Sequence, residues 1–482
     1  MTATLPRPTV PEARPASPRA VLTVILTSYL LIILDVSIVI TALPEIQADL
    51  GFADAQLSWV QNAYALAFGG FLLLGARAGD LLGRRRMFIT GFSVFVAASA
   101  LGTAALSPEM LLGARLLQGL GAAIATPATL ALLIVTFEEG PARTRAVSWY
   151  AAAASGGGSL GLVVGGMLTT WVSWRLGMAI NVPLGLAMLW FAPRVLQETP
   201  RRAGHFDIAG AVLSTTGMTS LVYAFVSAAQ RGFGDPVTLV AAVLAVTLLV
   251  SFVRVERRAE QPITPLHLFK SRRRSGALLG RMFVVSGMMS VFFFMSQFMQ
   301  EVHGYSALEA GLAFLPMTLV LFATTQILPR LLARVEETTV LVVGLAIAAS
   351  SLLAIADVGP ATAYFPGIGL PLVTLGLGMG LAFAPLTSVA MIGVPTAEAG
   401  AASGLVNAAH QLGGSLGLAG MVSVYAAAVG PGAAGHAAGT DAVLHVAAGL
   451  LAIGLVIIAT VVVPDARRER AAQRSVEAAF AE

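Results

Sequence analysis

Gly157-Gly158-Ser159-Leu160-Gly161-Leu162 recurs letter for letter as Gly413-Gly414-Ser415-Leu416-Gly417-Leu418, 256 positions further on. Two more matches keep nearly that register. Gly119-Leu120-Gly121, followed by Pro127, is echoed by Gly376-Leu377-Gly378, followed by Pro385, while Arg77 and Gly91 fall opposite Arg330 and Gly344. One glycine-rich match is easily a coincidence; three at offsets between 253 and 258 make the chain a duplication. The matches lie in or beside apolar runs long enough to cross a bilayer, so the repeated unit is a bundle of membrane helices.

Composition agrees. With 57% hydrophobic and 11% charged residues the chain is too apolar for a soluble domain. Its apolar runs, bounded by Gly, Pro or charge clusters, predict an all-α polytopic membrane protein of fourteen spans. Residues 1–20 read as a disordered cytoplasmic tail, 21–193 as a first six-helix bundle and 194–206 as a cytoplasmic linker. An inserted two-helix hairpin over 207–254, a basic cytoplasmic loop over 255–275, a second six-helix bundle over 276–463 and a cytoplasmic tail over 464–482 complete the chain. With the N-terminus inside, 25 of the 29 Lys and Arg fall on one side and only Arg175 and Arg231 on the other. The positive-inside rule then puts both termini in the cytoplasm.

Several function classes drop out. The net charge of +4 is spread as small basic groups between apolar runs, which marks topology rather than a nucleic-acid surface. There is no cysteine, so disulfides, thiolate catalysis and zinc–cysteine sites are excluded. Neither a Walker-type loop, a His-Glu metal motif nor a nucleophile–base pair is visible, so no cofactor, no metal and no enzymatic activity are expected.

Charge inside a span is the functional signal. Asp35, in Leu34-Asp35-Val36-Ser37-Ile38-Val39-Ile40, is the one acid that must lie well inside a span, where a carboxylate costs about 2.5–3.5 kcal/mol and usually serves protons, ions or substrate. Arg115 is its expected partner. At 1.5 Å per residue Asp35 lies roughly 12 Å, and Arg115 roughly 8 Å, below the same outer surface. Arg281 also falls within a span. Modest candidates for a substrate cavity are Gln61, Tyr64, Gln118 and Asn181, the soft stripe Met288, Phe292, Met295 in the ninth span, and Asn407, His410, Gln411 on one face of the thirteenth. Packing explains the methionine stripe equally well, and hydrogen bonding between helices the polar face.

Three motifs carry a family resemblance. The turn Ala76-Arg77-Ala78-Gly79-Asp80-Leu81-Leu82-Gly83-Arg84-Arg85-Arg86 joins the second and third spans; Leu111-x-x-x-Arg115-x-x-Gln118-Gly119-x-Gly121 opens the fourth; Gly157-x-x-x-Gly161-x-x-x-Gly165-Gly166 runs along the fifth. Together they resemble the major facilitator superfamily. Leu34-Asp35-x-Ser37-x-Val39-x-x-Ala42-Leu43-Pro44 and Ile180-Asn181-Val182-Pro183 are similar to its fourteen-span drug:proton antiporter branch. The resemblance implies a cytoplasmic latch at Asp80, Gly83, Arg84 and Arg85, proton coupling at Arg115, and a helix-packing motif at Gly157, Gly161, Gly165 and Gly166. It also implies a monomer in the bacterial inner membrane that exchanges protons for small apolar or cationic drugs, its partners being the cargo, protons and the lipid bilayer. Leu162 stands where the family has a proline, which leaves an importing symporter or facilitator open; a non-transporting sensor is the other alternative.

Overall fold

The computed structural model describes residues 17–137, 141–199, 207–259, 262, 266–394 and 399–468, and every element in them is helical. The long helices are α1 (Pro18–Leu50), α2 (Trp59–Leu82), α3 (Arg84–Thr103), α4 (Pro108–Thr136), α5 (Pro141–Trp171) and α6 (Trp174–Val195, with a turn at Ile180). After them come α7 (Ile208–Arg231) and α8 (Pro236–Glu256). The second set is α9 (Arg272–Glu301), α10 (Ala307–Leu332), α11 (Glu337–Ile355), α12 (Tyr364–Met391), α13 (Ala399–Ala428) and α14 (Gly432–Arg468). Eleven of these are long and apolar enough to cross a membrane; α2, α5 and α13 stand among them in the bundles. The expected N-terminal tail up to residue 16, most of the 194–206 linker and the chain beyond 468 lie outside the described residues.

Local chemistry sets the helix ends. Ser107 Oγ accepts from the Met110 N–H with Pro108 in the first turn, and Asp235 caps α8 in the same way, ahead of Pro236. Gly51, at φ +72°, closes α1 in the left-handed conformation that a side chain resists.

The repeated letters do repeated work. A Cβ on Gly161 would stand 2.5 Å from Ser37 Cβ, and one on Gly417 would collide with Ser286, so α5 lies on α1 as α13 lies on α9. Likewise a Cβ on Gly119 would strike the Tyr64 carbonyl and one on Gly376 that of Met317, which brings α4 onto α2 and α12 onto α10. Small residues allow this backbone approach, the main source of helix association in lipid, where apolar side chains gain nothing by leaving the tails.

The two bundles meet along two seams, α5 against α10 and α2 against α13. Gly166 serves the first, facing the backbone of Ala307 and Leu308. Helix α7 lies across the second, where Val222 and Val226 cluster with Leu66 and Ala419 and Thr215 Oγ1 donates to the Gly70 carbonyl at 3.0 Å. Helix α8 pairs with α7 through a 2.9 Å Thr238–Ser227 hydrogen bond, with most of its side chains turned outward. At the end of the molecule where Leu50 lies, Val39, Leu43 and Ile46 of α1 pack with Phe293, Phe294, Leu418, Met421 and Val422 of the second bundle. Beneath that apolar plug is a cavity.

Candidate functional site

Inside the first bundle four helices converge on one carboxylate. Asp35 (α1) is 1% exposed and Arg115 (α4) is fully buried; Arg115 Nη1 donates to Asp35 Oδ2 at 2.5 Å. Gln118, one turn along α4 on the same face, donates to Asp35 Oδ1 at 2.9 Å, and Asn181 (α6) donates to the same oxygen at 2.7 Å. Ser99 (α3) accepts from Gln118 at 2.9 Å and itself donates to the Phe95 carbonyl. Arg115 is held further by Nε to the Val60 carbonyl at 2.9 Å, Nη1 to Gln118 Oε1 at 2.9 Å, and the Tyr64 ring 4.6 Å from its guanidinium carbon. Three donors face the carboxylate. A proton arriving on it would displace at least one of them, so its protonation state and the packing of α1 on α4 and α6 are linked.

The cavity, of about 400 Å³, lies between the two bundles. Asp35 and Arg115 are not on its wall. Tyr64 is, and its ring centre lies 4.6 Å from the Arg115 guanidinium carbon, so one aromatic side chain touches both the buried pair and the cavity. Of the residues expected there, Gln61, Tyr64, Asn407, His410 and Gln411 line the cavity, whereas Gln118 and Asn181 are spent on Asp35. The ninth-span stripe is displaced by one position. Met288 and Phe292 face Met317 and Met379, and Met295 is fully buried in the core of the second bundle; the cavity face of α9 is Arg281, Val285, Met289 and Phe293, each four residues after the last.

The turn between α2 and α3 is fastened from within its own bundle. Gly83 has φ +104°, and a Cβ there would sit 2.6 Å from the Glu198 carboxylate carbon. Glu198 accepts from the backbone N–H of Arg85 (3.0 Å) and of Arg86 (3.1 Å), Thr199 Oγ1 from that of Arg84 (3.3 Å), and Arg85 Nη2 donates to the Pro193 carbonyl (2.7 Å). Glu198 thus caps α3 and balances the positive end of its dipole. The side chain of Asp80 lies outside the described residues.

Ser99 and Glu198 are parts of these sites that carry no mark in the sequence. Arg281 does carry one: it is one of two arginines inside apolar runs.

Similarity to known proteins extends over nearly the whole chain. The Major Facilitator Superfamily model matches residues 25–418. The chain belongs to that superfamily. It is 38% identical over 439 residues to the cephamycin export protein CmcT of Amycolatopsis lactamdurans, covering 89% of this chain and 90% of that one. To the puromycin resistance protein pur8 of Streptomyces alboniger it is 38% identical over 464 residues, covering 93% and 92%. In fold it is similar to the POT family transporter PepTSo, with a TM-score of 0.70 at 16% identity over 95% of this chain and 99% of that one. The major-facilitator fold, two six-helix bundles of parallel order with α7 and α8 between them, is that of a membrane transporter of small molecules.

Proposed function

We propose that the chain is a proton-coupled antiporter that exports small, largely apolar molecules, antibiotics among them, through the cavity between its two bundles. The observation that carries the reading is the buried Asp35–Arg115 pair one tyrosine away from that cavity. Proton arrival at Asp35 loosens the grip of Arg115 and Gln118. That change reaches Tyr64 and Gln61, and Gln61 is tied to α1 by a 3.2 Å bond to the Val36 carbonyl on the cavity wall. Binding energy for cargo and for the proton are then exchanged through the same few side chains. The relatives named for cephamycin export and puromycin resistance support the outward direction. On the reading of fourteen spans with both termini in the cytoplasm, the plugged end would be the outer one and the molecule would stand inward-facing, with Asp80 and Arg84 latching the opposite state. No contact with a second copy is required, and we take the monomer as the working unit in the bacterial inner membrane.

The test is uptake of a cephamycin, an antibiotic with a carboxylate, into inside-out membrane vesicles with an imposed pH gradient, acid inside. Accumulation that requires the gradient and disappears in Asp35→Asn is expected. Gradient-independent equilibration in both proteins would replace the antiporter by a facilitator.

A further inference from the structure

Among the described residues the cavity carries one formal charge, and it is positive. Arg281 enters from α9, where its Nη1 donates to Thr387 Oγ1 at 2.8 Å, its Nη2 lies 3.4 Å from His410 Nδ1, and its guanidinium carbon is 5.7 Å from the Phe383 ring centre. Its Nε is buried and has no partner. Among the described residues Arg281 makes no ion pair and no acid lines the cavity; Asp35 is buried off its wall and already paired with Arg115. An in-membrane arginine is normally balanced by a carboxylate or turned to the interface. This one has hydroxyl, imidazole and aromatic neighbours, all neutral, and unused N–H capacity at the edge of an open space. The rest of the wall suits an apolar body: Ile33, Phe68, Val285, Met289 and Phe293.

We infer that the cargo site selects organic anions, in which an apolar body occupies the cavity and a single carboxylate or like oxyanion pairs with Arg281. Resting on the reading of this cavity as the cargo site, the inference is independent of proton coupling. It replaces the expectation of cationic cargo, which finds no carboxylate on the wall. The guanidinium fork matches an oxyanion in two directions at once.

Three fluorescent probes with the same ring system separate the cases: dansylglycine, its uncharged amide, and dansylethylenediamine, bound to purified full-length protein in lipid nanodiscs. Dansylglycine should bind the wild type about ten-fold or more tighter than the amide, and the ammonium probe weakest, since a charged hydrogen bond of this kind is worth about one to two decades in affinity. Arg281→Gln should remove the advantage of the carboxylate while leaving amide binding within about two-fold, which also shows that the variant is folded; Arg281→Lys should keep part of it. Equal binding of carboxylate and amide, tightest binding of the ammonium probe, failure of dansylglycine to bind at all, or an unchanged preference in Arg281→Gln would overturn the proposal. Arg281-dependent binding without gradient-driven transport would refute the antiporter reading and leave this one standing.

Discussion

Replacing Asp35 by Asn keeps the shape of the side chain and removes one charge from a buried pair. The carboxylate now accepts from Arg115 on Oδ2 and from Gln118 and Asn181 on Oδ1. An asparagine with its oxygen toward Arg115 turns its NH₂ toward two donors. Asn181 can answer by flipping, because its own Oδ1 has no partner; Gln118 cannot flip without withdrawing the oxygen that accepts from Arg115 at 2.9 Å. The guanidinium is left buried and unbalanced, which typically destabilises by about 3–5 kcal/mol, with no discount for solvent since both groups are sealed. The double variant Asp35→Asn/Arg115→Gln removes both charges and should recover most of that loss, so the coupling energy in the cycle should be at least roughly 2–3 kcal/mol. Reversible unfolding in mixed micelles at fixed lipid ratio measures all four corners. The size bears on the proposed coupling, in which a proton would neutralise Asp35 much as the substitution does, because one proton crossing about 150 mV supplies roughly 3.5 kcal/mol. The cost of opening the pair, about 3–5 kcal/mol, is therefore comparable to what a single proton supplies. Asp35→Asn within about 0.5 kcal/mol of wild type would refute the argument, since the pair would then neither hold the bundle nor have anything to release.

Other perturbations read the remaining parts of the site. Tyr64→Ala should open the Asp35–Arg115 pair to the cavity and give proton leak in proteoliposomes without cargo, whereas Tyr64→Phe keeps the ring over Arg115 and should stay tight; equal leak in the two would show that the ring is no barrier. Glu198→Ala should lower stability by about 0.5–2 kcal/mol through loss of the α3 cap, seen as a lower unfolding midpoint, and Glu198→Asp, one methylene shorter, should recover little. Gly161→Ala should destabilise by about 1–3 kcal/mol by forcing Ser37 and α1 away, while Gly449→Ala, with nothing within 4 Å, should be neutral or slightly stabilising; matching midpoints for the two would undo the packing account.

The ion pair is legible in the sequence because a charge in an apolar run is conspicuous and a helix converts residue count to depth. Asp35 and Arg115 are assigned similar depths by a rise of 1.5 Å per residue, and two helices of one bundle do the rest. The repeat is legible because glycines that let helices touch leave little choice of residue, so the two bundles keep the same letters at the same contacts. Ser99 and Glu198 are not legible, for different reasons. A serine in mid-span ordinarily bonds the carbonyl four residues back, as Ser99 does to Phe95, and nothing local says that it also receives Gln118. Glu198 caps a helix that starts 114 positions before it, a contact that exists only once α6 has returned to the same face of the molecule.

The ninth span shows where periodicity stops and charge takes over. Spacing places Met288, Phe292 and Met295 on a common face, yet spacing alone does not say which way a face looks, and a helix apolar all round offers no polar stripe to orient it. Here the orienting mark is Arg281. A charge inside a span turns to the bundle interior or an aqueous space rather than toward lipid, and counting on from Arg281 by fours gives Val285, Met289 and Phe293, the residues that line the cavity. The same reasoning makes the sign of that charge informative. An arginine held at the cavity with only neutral partners leaves its counter-ion to come from outside the protein, so the residue that sets the phase of the helix also states what the cargo must bring.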